Sequence, residues 1–130
     1  MTGFIVNVSR MRTSQELRNR TKRYASSTIK LYVSLPRRRE EVAILAKQLL
    51  RSGTSVAANF REASRGRSVA EFVSKVETCA QEADETGLWL ELLQEDCGIR
   101  GDAITKLMIE TDELIAIFVT MAKRSKASAI

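Results

Sequence analysis

The sequence predicts an all-α protein, folded as an up-and-down four-helix bundle. Apolar residues repeat with a period near 3.5 in four long segments, and only short breaks separate them. One proline and six glycines in 130 residues leave too little turn material for a fold of many short strands. The length suits one domain. We therefore predict a bundle over 14–124, a mobile N-terminus over 1–13, where no helical period is visible, and a basic tail over 125–130.

The first two segments carry apolar or small residues at alternating spacings of four and three. This heptad spacing favours bundle packing, with helices crossing at roughly 20°. Pro36 separates the segments, because proline is tolerated only in the first turn of a helix. We call the row of residues predicted to face the core the seam of each helix. The seam of the first helix is Leu17, Thr21, Tyr24, Thr28, Leu31 and Leu35, and that of the second is Val42, Ala46, Leu49, Gly53, Val56, Phe60 and Ala63.

The third and fourth segments are bounded by recognisable caps. Ser68 with Glu71 forms a capping box, Gly98 is placed to end the third helix, and Asp102 is a plausible N-cap for the fourth. The third helix has apolar residues on more than one face, so we expect it to contact more than one neighbour. Its predicted seam is Val69, Val73, Val76, Ala80, Ala83, Gly87, Leu90, Gln94 and Cys97, and the fourth helix has one apolar side from Ile104 to Ala122.

Small residues in the second and third seams predict a close crossing of these two helices. Glycine inside a helix costs roughly 1 kcal/mol relative to alanine, so Gly53 and Gly87 need a packing reason.

The absence of histidine excludes most familiar enzyme chemistry. Histidine general bases, nucleophile–histidine pairs and histidine metal ligands are all impossible in this chain. Cys79 and Cys97 lie about 27 Å apart along one predicted helix, too far to form a disulfide, and we expect both to be core residues. We expect no cofactor, no signal peptide and no membrane span, and a cytoplasmic protein.

Charge is unevenly distributed along the chain. Between Arg10 and Arg39 there are ten basic residues and one acid, whereas residues 77–96 contain seven acids and no base. Two interpretations remain open. The basic region binds phosphates, or it pairs with the acidic helix, within a subunit or between copies.

A polar stripe interrupts the second helix at Ser52, Ser55, Asn59 and Glu62. We predict that Ser55, Asn59 and Glu62 are interhelix polar residues that cap, pair or fix helix register. Glu62 together with Glu82 and Glu85 is the one carboxylate grouping that an enzyme or a metal site would use. We expect neither, because bundle di-iron sites also need histidine.

Two stretches resemble the four-helix bundle proteins encoded in 23S ribosomal RNA intervening sequences. The first runs over 51–63 (RSGTSVAANFREA), followed by a basic turn and Glu71 to Lys75, and the second over 82–93 (EADETGLWLELL). The opening residues 17–22 and the Leu35-Pro36 junction also match, so the resemblance covers 17–121. Family members commonly have glycine after the glutamate of the first stretch, whereas here Ala63 and Ser64 follow Glu62.

The resemblance implies a left-handed up-and-down bundle that assembles as a homopentamer, without a settled biochemical activity. Related proteins act as accessory factors of diversity-generating retroelements, where a basic pentamer binds nucleic acid and the reverse transcriptase. Our leading hypothesis is a non-enzymatic oligomer that binds RNA or DNA; the alternative is a scaffold whose basic and acidic helices pair across subunits. The candidate nucleic-acid-binding residues are Arg18, Arg20, Lys22, Arg23, Arg37, Arg38, Arg39, Arg65 and Arg67.

Overall fold

The computed structural model describes the backbone of residues 2–128 and the side chains of residues 14–128. It contains four α-helices in chain order: α1 (Thr2–Ser34), α2 (Glu40–Ser64), α3 (Val69–Glu95) and α4 (Asp102–Ser128). Each helix packs against the next, and α1 meets α4 over a much smaller area. The all-α four-helix bundle is confirmed, with α1 and α3 diagonally opposite and out of contact.

Both outer helices extend beyond the boundaries expected from the sequence. The structure begins α1 at Thr2, so residues 2–13, expected to be a mobile terminus, continue the first helix. They contain no proline and only one glycine, so helix can propagate through them from the bundle segment. At the other end, α4 includes residues 125–128 of the expected tail.

The caps follow the sequence with two adjustments. The Ser68 hydroxyl accepts from the Glu71 amide at 3.1 Å, while the Glu71 carboxylate accepts from the Arg67 amide, one residue before the position that a capping box uses. Gly98 adopts a φ of 72° just after α3, a conformation that favours glycine. Asp102 is the first residue of α4 rather than its cap.

The predicted seams of α1 and α2 are confirmed, because all of their residues are buried. The seam of α3 differs from the prediction at four of its nine positions. Val69, Ala80, Gly87 and Gln94 are only half-buried, and their neighbours toward α2 are buried instead. Because α3 is apolar on two faces, its sequence leaves the rotation of the helix open. The buried residues are Phe72, Val73, Val76, Cys79, Ala83, Thr86, Leu90, Leu93 and Cys97.

Hydroxyl groups from all four helices lie buried near the middle of the bundle. The Thr86 hydroxyl on α3 donates to Ser52 Oγ on α2 at 2.8 Å, and the Tyr24 hydroxyl on α1 bonds Thr111 Oγ1 on α4 at 2.5 Å. Burial raises the pKa of Tyr24 to about 12. We call these four residues the hydroxyl layer.

The two seam glycines face the outer helices, so the prediction that they mark a close α2–α3 crossing is wrong. A Cβ built on Gly53 would lie 2.7 Å from Thr28 Cγ2 on α1, which is too close. At Gly87 the nearest side-chain atom is Thr111 Cγ2 of α4 at 3.6 Å, an ordinary contact distance. The close approach that Gly53 allows is therefore between α1 and α2.

Candidate nucleic-acid interface

Helices α1 and α3 carry net charges of opposite sign and lie at opposite edges of the bundle. Residues 14–34 of α1 hold five cations and one acid, whereas α3 holds seven acids and one base. Because α1 and α3 do not touch, the basic helix is not neutralised by the acidic one within a subunit. Among the side chains of residues 14–128, no ion pair joins α1 to α3, so the pairing within a subunit that the sequence left open is not found there.

The topology divides the nine candidate residues between two ends of the bundle. The α1–α2 turn, with Arg37, Arg38 and Arg39, lies at one end, and the α2–α3 turn, with Arg65 and Arg67, lies at the other. The 25 residues of α2 separate these turns by roughly 37 Å. A single compact surface therefore cannot include all nine residues.

Three of the nine have partners inside the subunit. Arg20 makes a two-pronged ion pair with Glu110 of α4, at 2.6 Å and 2.8 Å, and also contacts Glu113 at 3.1 Å. The hydrogen bond with Glu110 raises the pKa of Arg20 above its usual range, so this cation is fixed in place.

Arg39 and Arg37 are held at the opposite end. Arg39 pairs with Glu41 at 2.8 Å, and its Nη1 donates to the Cys97 carbonyl oxygen at 3.0 Å. A backbone hydrogen bond, together with Arg39, lowers the pKa of Glu41. The Arg37 guanidinium lies 4.4 Å from the centre of the Tyr32 ring, in a cation–π contact. These contacts make this end of the bundle a mixed, internally paired surface.

A second basic group lies at the end formed by the α2–α3 turn. Thr28 contacts Gly53, which fixes the relative height of α1 and α2. From that level Arg18 is about 15 Å along α1, and Arg61 and Arg65 are about 12 and 18 Å along α2 in the same direction. The group of Arg18, Lys22, Arg23, Arg61, Arg65 and Arg67 is named the basic end below; none of these side chains has an ion pair in the part of the chain described.

Arg61 was not among the residues singled out from the sequence. Gly53 faces α1, and Ser52 bonds α3. Arg61 is eight residues after Gly53, which places it about 80° around α2 from Gly53, in the direction away from Ser52. It therefore lies on the α1 side of α2, near Arg18 and Lys22. The sequence signal that could have identified Arg61 is its heptad position, which is the same as that of Thr54 and lies on the side of α2 toward α1.

The three predicted interhelix polar residues occupy the α3 side of α2. The Glu62 carboxylate contacts Lys75 of α3 at 2.7 Å and raises the pKa of that lysine. Asn59 Nδ2 donates to the Ser55 carbonyl oxygen of its own helix at 2.9 Å, and the Ser55 side chain is half-buried. The buried interhelix bond on this side is made by Ser52, through Thr86.

The three carboxylates considered for enzyme or metal chemistry do not form one cluster. Glu62 pairs with Lys75, whereas Glu82 and Glu85 lie 3.6 Å and 3.4 Å from the nearest Arg51 nitrogen atoms. Burial, followed by the charge of Glu85, raises the pKa of Glu82. Among the side chains described, no group of three or more acids and cysteines is arranged to hold a metal ion.

Comparison with known proteins agrees with the fold. Residues 13–120 match the family described as 23S rRNA-intervening sequence protein. A crystal structure of a protein of unknown function from the S23 ribosomal protein family of Bacteroides thetaiotaomicron is 31% identical, with a TM-score of 0.74. The match covers 82% of this chain and 97% of that one. Curated proteins gave no match. No helix within residues 2–128 has the length and hydropathy that a membrane span requires.

The family match covers most of the chain and includes the two central helices, the basic turn between them and most of the two outer helices. The chain therefore belongs to the family of 23S rRNA-intervening sequence proteins.

Proposed function

We propose that this protein is a non-enzymatic, oligomeric bundle that binds nucleic acid through its basic end. The observation that carries the proposal is a group of six cations toward the end of the bundle formed by the α2–α3 turn, none of which has an ion pair among the described side chains. Uncompensated cations attract a phosphate backbone and release its counterions, whereas paired cations contribute little. Five of the six are arginines, which bind phosphate oxygens in a two-pronged geometry.

The number of free cations limits the strength of the electrostatic contribution. If all six neutralise phosphates, log affinity falls with log salt at a slope of about −5 on duplex DNA. Arg20, Arg37 and Arg39 are bound inside the subunit and are expected to add little. The few aromatic residues are spaced as core, so the proposal includes no base stacking.

The test is fluorescence anisotropy of labelled RNA and DNA, single-stranded and duplex, titrated with the full chain across a salt series. The variant Arg18→Glu/Lys22→Glu/Arg61→Glu should lose nearly all binding at low salt. Its control, Lys47→Glu/Arg100→Glu/Lys106→Glu, makes the same change in net charge at exposed cations outside the basic end. The control should bind at least ten times more tightly than the first variant. Equal loss in both variants would show that only net charge matters, and unchanged binding by the first variant would exclude the basic end.

The remaining parts of the proposal follow the family resemblance. We infer a homo-oligomer, specifically a pentamer, located in the cytoplasm, with a role as an accessory factor and a reverse transcriptase as its partner class. Light scattering measures the oligomer. Co-purification with a reverse transcriptase, when the two are expressed together, tests the accessory role.

A docking scaffold is the second candidate function, favoured by the diagonal placement of α1 and α3. Helices α1 and α3 do not contact each other. Their charges therefore remain available to other molecules, except those paired with α2 or α4, such as Arg20, Glu82 and Glu85. Under this alternative, Arg18→Glu/Lys22→Glu/Arg23→Glu should break the oligomer into subunits of lower mass. Under the nucleic-acid hypothesis the same change should remove binding and leave the mass unchanged.

A further inference from the structure

The α1–α2 pair contains two long stretches without any acidic residue, 17–34 of α1 and 42–61 of α2. The stretches pack against each other, because Thr28 contacts Gly53. Of their eight cations, Arg20 and Arg51 pair with acids of α4 and α3. The other six have no ion pair among the described side chains, so this pair of helices presents uncompensated positive charge. These six are Arg18, Lys22, Arg23, Lys30, Lys47 and Arg61.

Two exposed apolar side chains belong to the same pair of helices. Ile29 and Val33 of α1 are 46% and 64% exposed and lie about one helical turn apart. Among the large apolar side chains described, that of Val33 is the most exposed. Large apolar groups exposed together, rather than singly, are typical of interaction surfaces.

Both side chains lie on the side of α1 that is turned away from α4. Tyr24 bonds α4 and lies about 40° to one side of Thr28, the residue that contacts α2. Ile29 and Val33 lie about 100° and 140° to the other side of Thr28. Lys22 shares the heptad position of Ile29, so it lies on the same side of α1, about 10 Å along the helix.

Helix α2 contributes a half-buried leucine and an exposed lysine to this surface. Leu50 and Lys47 precede Gly53 by three and six residues, which places them about 60° and 120° around α2 from Gly53, on the flank where Arg61 lies. Counted from the contact between Thr28 and Gly53, they are level with residues 31 and 34 of the antiparallel α1. The group named the outer face below consists of Ile29, Val33 and Leu50 with Lys22, Lys30 and Lys47 around them.

A cationic surface with protruding apolar side chains fits an anionic lipid bilayer. Each lysine or arginine near such a bilayer strengthens binding roughly fivefold, and apolar side chains enter the boundary between headgroups and acyl chains. A nucleic acid would use the cations but would leave Ile29 and Val33 in water. A protein partner would need a close-packed apolar centre, whereas these two side chains stand on the convex outside of a helix.

We propose that the outer face binds the headgroup region of anionic lipid bilayers. This inference adds a ligand to the proposed function and does not depend on nucleic-acid binding. The contact is peripheral and requires no membrane-spanning helix. Ile29 and Val33 enter the bilayer interface, while Lys22, Lys30 and Lys47 lie at the lipid phosphates. Because Lys22 also belongs to the basic end, vesicles and nucleic acid should compete for the protein.

The experiment is co-sedimentation of the full chain with vesicles made of equal parts phosphatidylcholine and phosphatidylglycerol. Ile29→Ser/Val33→Ser should lower the binding constant at least about tenfold and leave nucleic-acid anisotropy unchanged. Its matched control, Ile109→Ser/Val119→Ser, alters two side chains of α4 that are 56% and 40% exposed and should bind vesicles like the unmodified protein. Circular dichroism should show equal helix content in all of these proteins.

A second variant tests the charges separately from the apolar side chains. Lys30→Glu/Lys47→Glu should weaken binding to the same vesicles by at least about twentyfold, because two favourable charges become unfavourable. It should retain nucleic-acid binding, since both lysines lie outside the basic end. Vesicles of pure phosphatidylcholine should bind the unmodified protein far more weakly than the anionic vesicles, and equal binding to both would contradict the role of the cations.

Each further outcome decides a different claim. If Ile29→Ser/Val33→Ser binds anionic vesicles as tightly as its control does, the outer face is wrong. If the unmodified protein binds nucleic acid but no vesicles, this inference fails and the proposed function stands; the reverse result would overturn only the proposed function. Without vesicle binding, a loss of oligomer mass in Ile29→Ser/Val33→Ser would assign the outer face to a contact between copies, and saturable binding of an acidic amphipathic peptide would assign it to a protein partner.

Discussion

The two sides of α1 are attached to the bundle by different physical means. Toward α2 the backbones approach closely, because Gly53 leaves room for Thr28. Toward α4 the contact area is small, and polar groups span it: Arg20 with Glu110, and Tyr24 with Thr111. Close packing is insensitive to salt and pH, whereas salt weakens an ion pair and alkaline pH ionises a tyrosine hydroxyl. The α4 side should therefore respond to solution conditions, and the α2 side to changes in side-chain volume.

The largest effect is expected on the α4 side at alkaline pH. In the unfolded chain a tyrosine loses its proton near pH 10, whereas burial raises the pKa of Tyr24 to about 12. Between these two pH values the folded state keeps the Tyr24 proton that the unfolded chain has lost. The free energy of unfolding therefore falls as pH rises from about 10 to about 12, by up to roughly 2.7 kcal/mol. Urea unfolding between pH 9 and 11.5 measures this fall, which should be shallower in Tyr24→Phe.

The half-buried Tyr32 provides the control for this prediction. Tyr32→Phe should keep the full alkaline fall. Burial also raises the pKa of Cys79 to about 12, and that contribution is common to both variants. An equal slope in the two variants would show that Tyr24 is not responsible. At pH 7, Tyr24→Phe should cost about 1 kcal/mol through the lost bond to Thr111.

The next effect tests the α2 side. In Gly53→Ala the new methyl group would overlap Thr28, at 2.7 Å from Cγ2 and 2.8 Å from Oγ1. Overpacking costs typically 1–3 kcal/mol, partly offset by about 1 kcal/mol of helix propensity, so we expect a net loss of about 1 kcal/mol. Thermal or urea unfolding measures the loss, and adding Thr28→Ala should reverse most of it. A stabilised single variant would show that α1 moves aside easily.

Gly87→Ala is the matched comparison and should have the opposite sign. Its added Cβ would meet Thr111 Cγ2 at 3.6 Å, an ordinary contact. The helix propensity gain should then appear directly, as a stabilisation of somewhat under 1 kcal/mol. The same unfolding measurement checks it. A loss of stability at both glycines would mean that α4 packs as closely on α3 as α1 does on α2.

The smallest effect concerns the ion pair on the α4 side. Arg20→Ala should cost about 0.5 kcal/mol at low salt, because Arg20 and Glu110 are joined at two points but both are about 30% exposed. Arg39→Ala removes a more exposed pair, at 46%, and should cost less. Urea titrations at 0.05 M and 1 M sodium chloride should show the Arg20 difference shrinking at high salt. A loss independent of salt would point to packing of the side chain instead.

The sequence predicted the fold, the seams of α1 and α2 and the apolar side of α4, because heptad spacing decides which residues face inward. It left the rotation of α3 open, since that helix is apolar on two faces, and Thr86 was passed over as a polar residue. The partner of a buried hydroxyl depends on how the neighbouring helices are rotated, which no local pattern specifies. The glycines were recognised as packing positions, but their neighbours were wrongly assigned for the same reason.

The candidate interface was less accessible from the sequence. Arg20 lies inside a basic run, yet an acid 90 residues away pairs with it. Arg61 lies next to an acid in the sequence, yet in the bundle Glu62 faces Lys75 of α3 while Arg61 lies on the side of α1. Charge counting locates a basic region, and only the topology separates its free cations from its paired ones.

The hydroxyl layer also has a consequence for how the chain finds its register during folding. A heptad repeat by itself permits two helices to pair in registers that differ by seven residues, because each such shift again places apolar residues opposite apolar residues. A slip of α3 by one heptad would place Cys79 or Leu93, in place of Thr86, opposite Ser52. The Ser52 hydroxyl would then lose its bond across the interface and keep only the one it donates to the Leu49 carbonyl oxygen at 3.4 Å, a loss of about 0.5–1.5 kcal/mol. The hydrogen bond between Tyr24 and Thr111 would likewise be lost if α1 shifted by one heptad against α4. A shifted register is therefore disfavoured both between α2 and α3 and between α1 and α4.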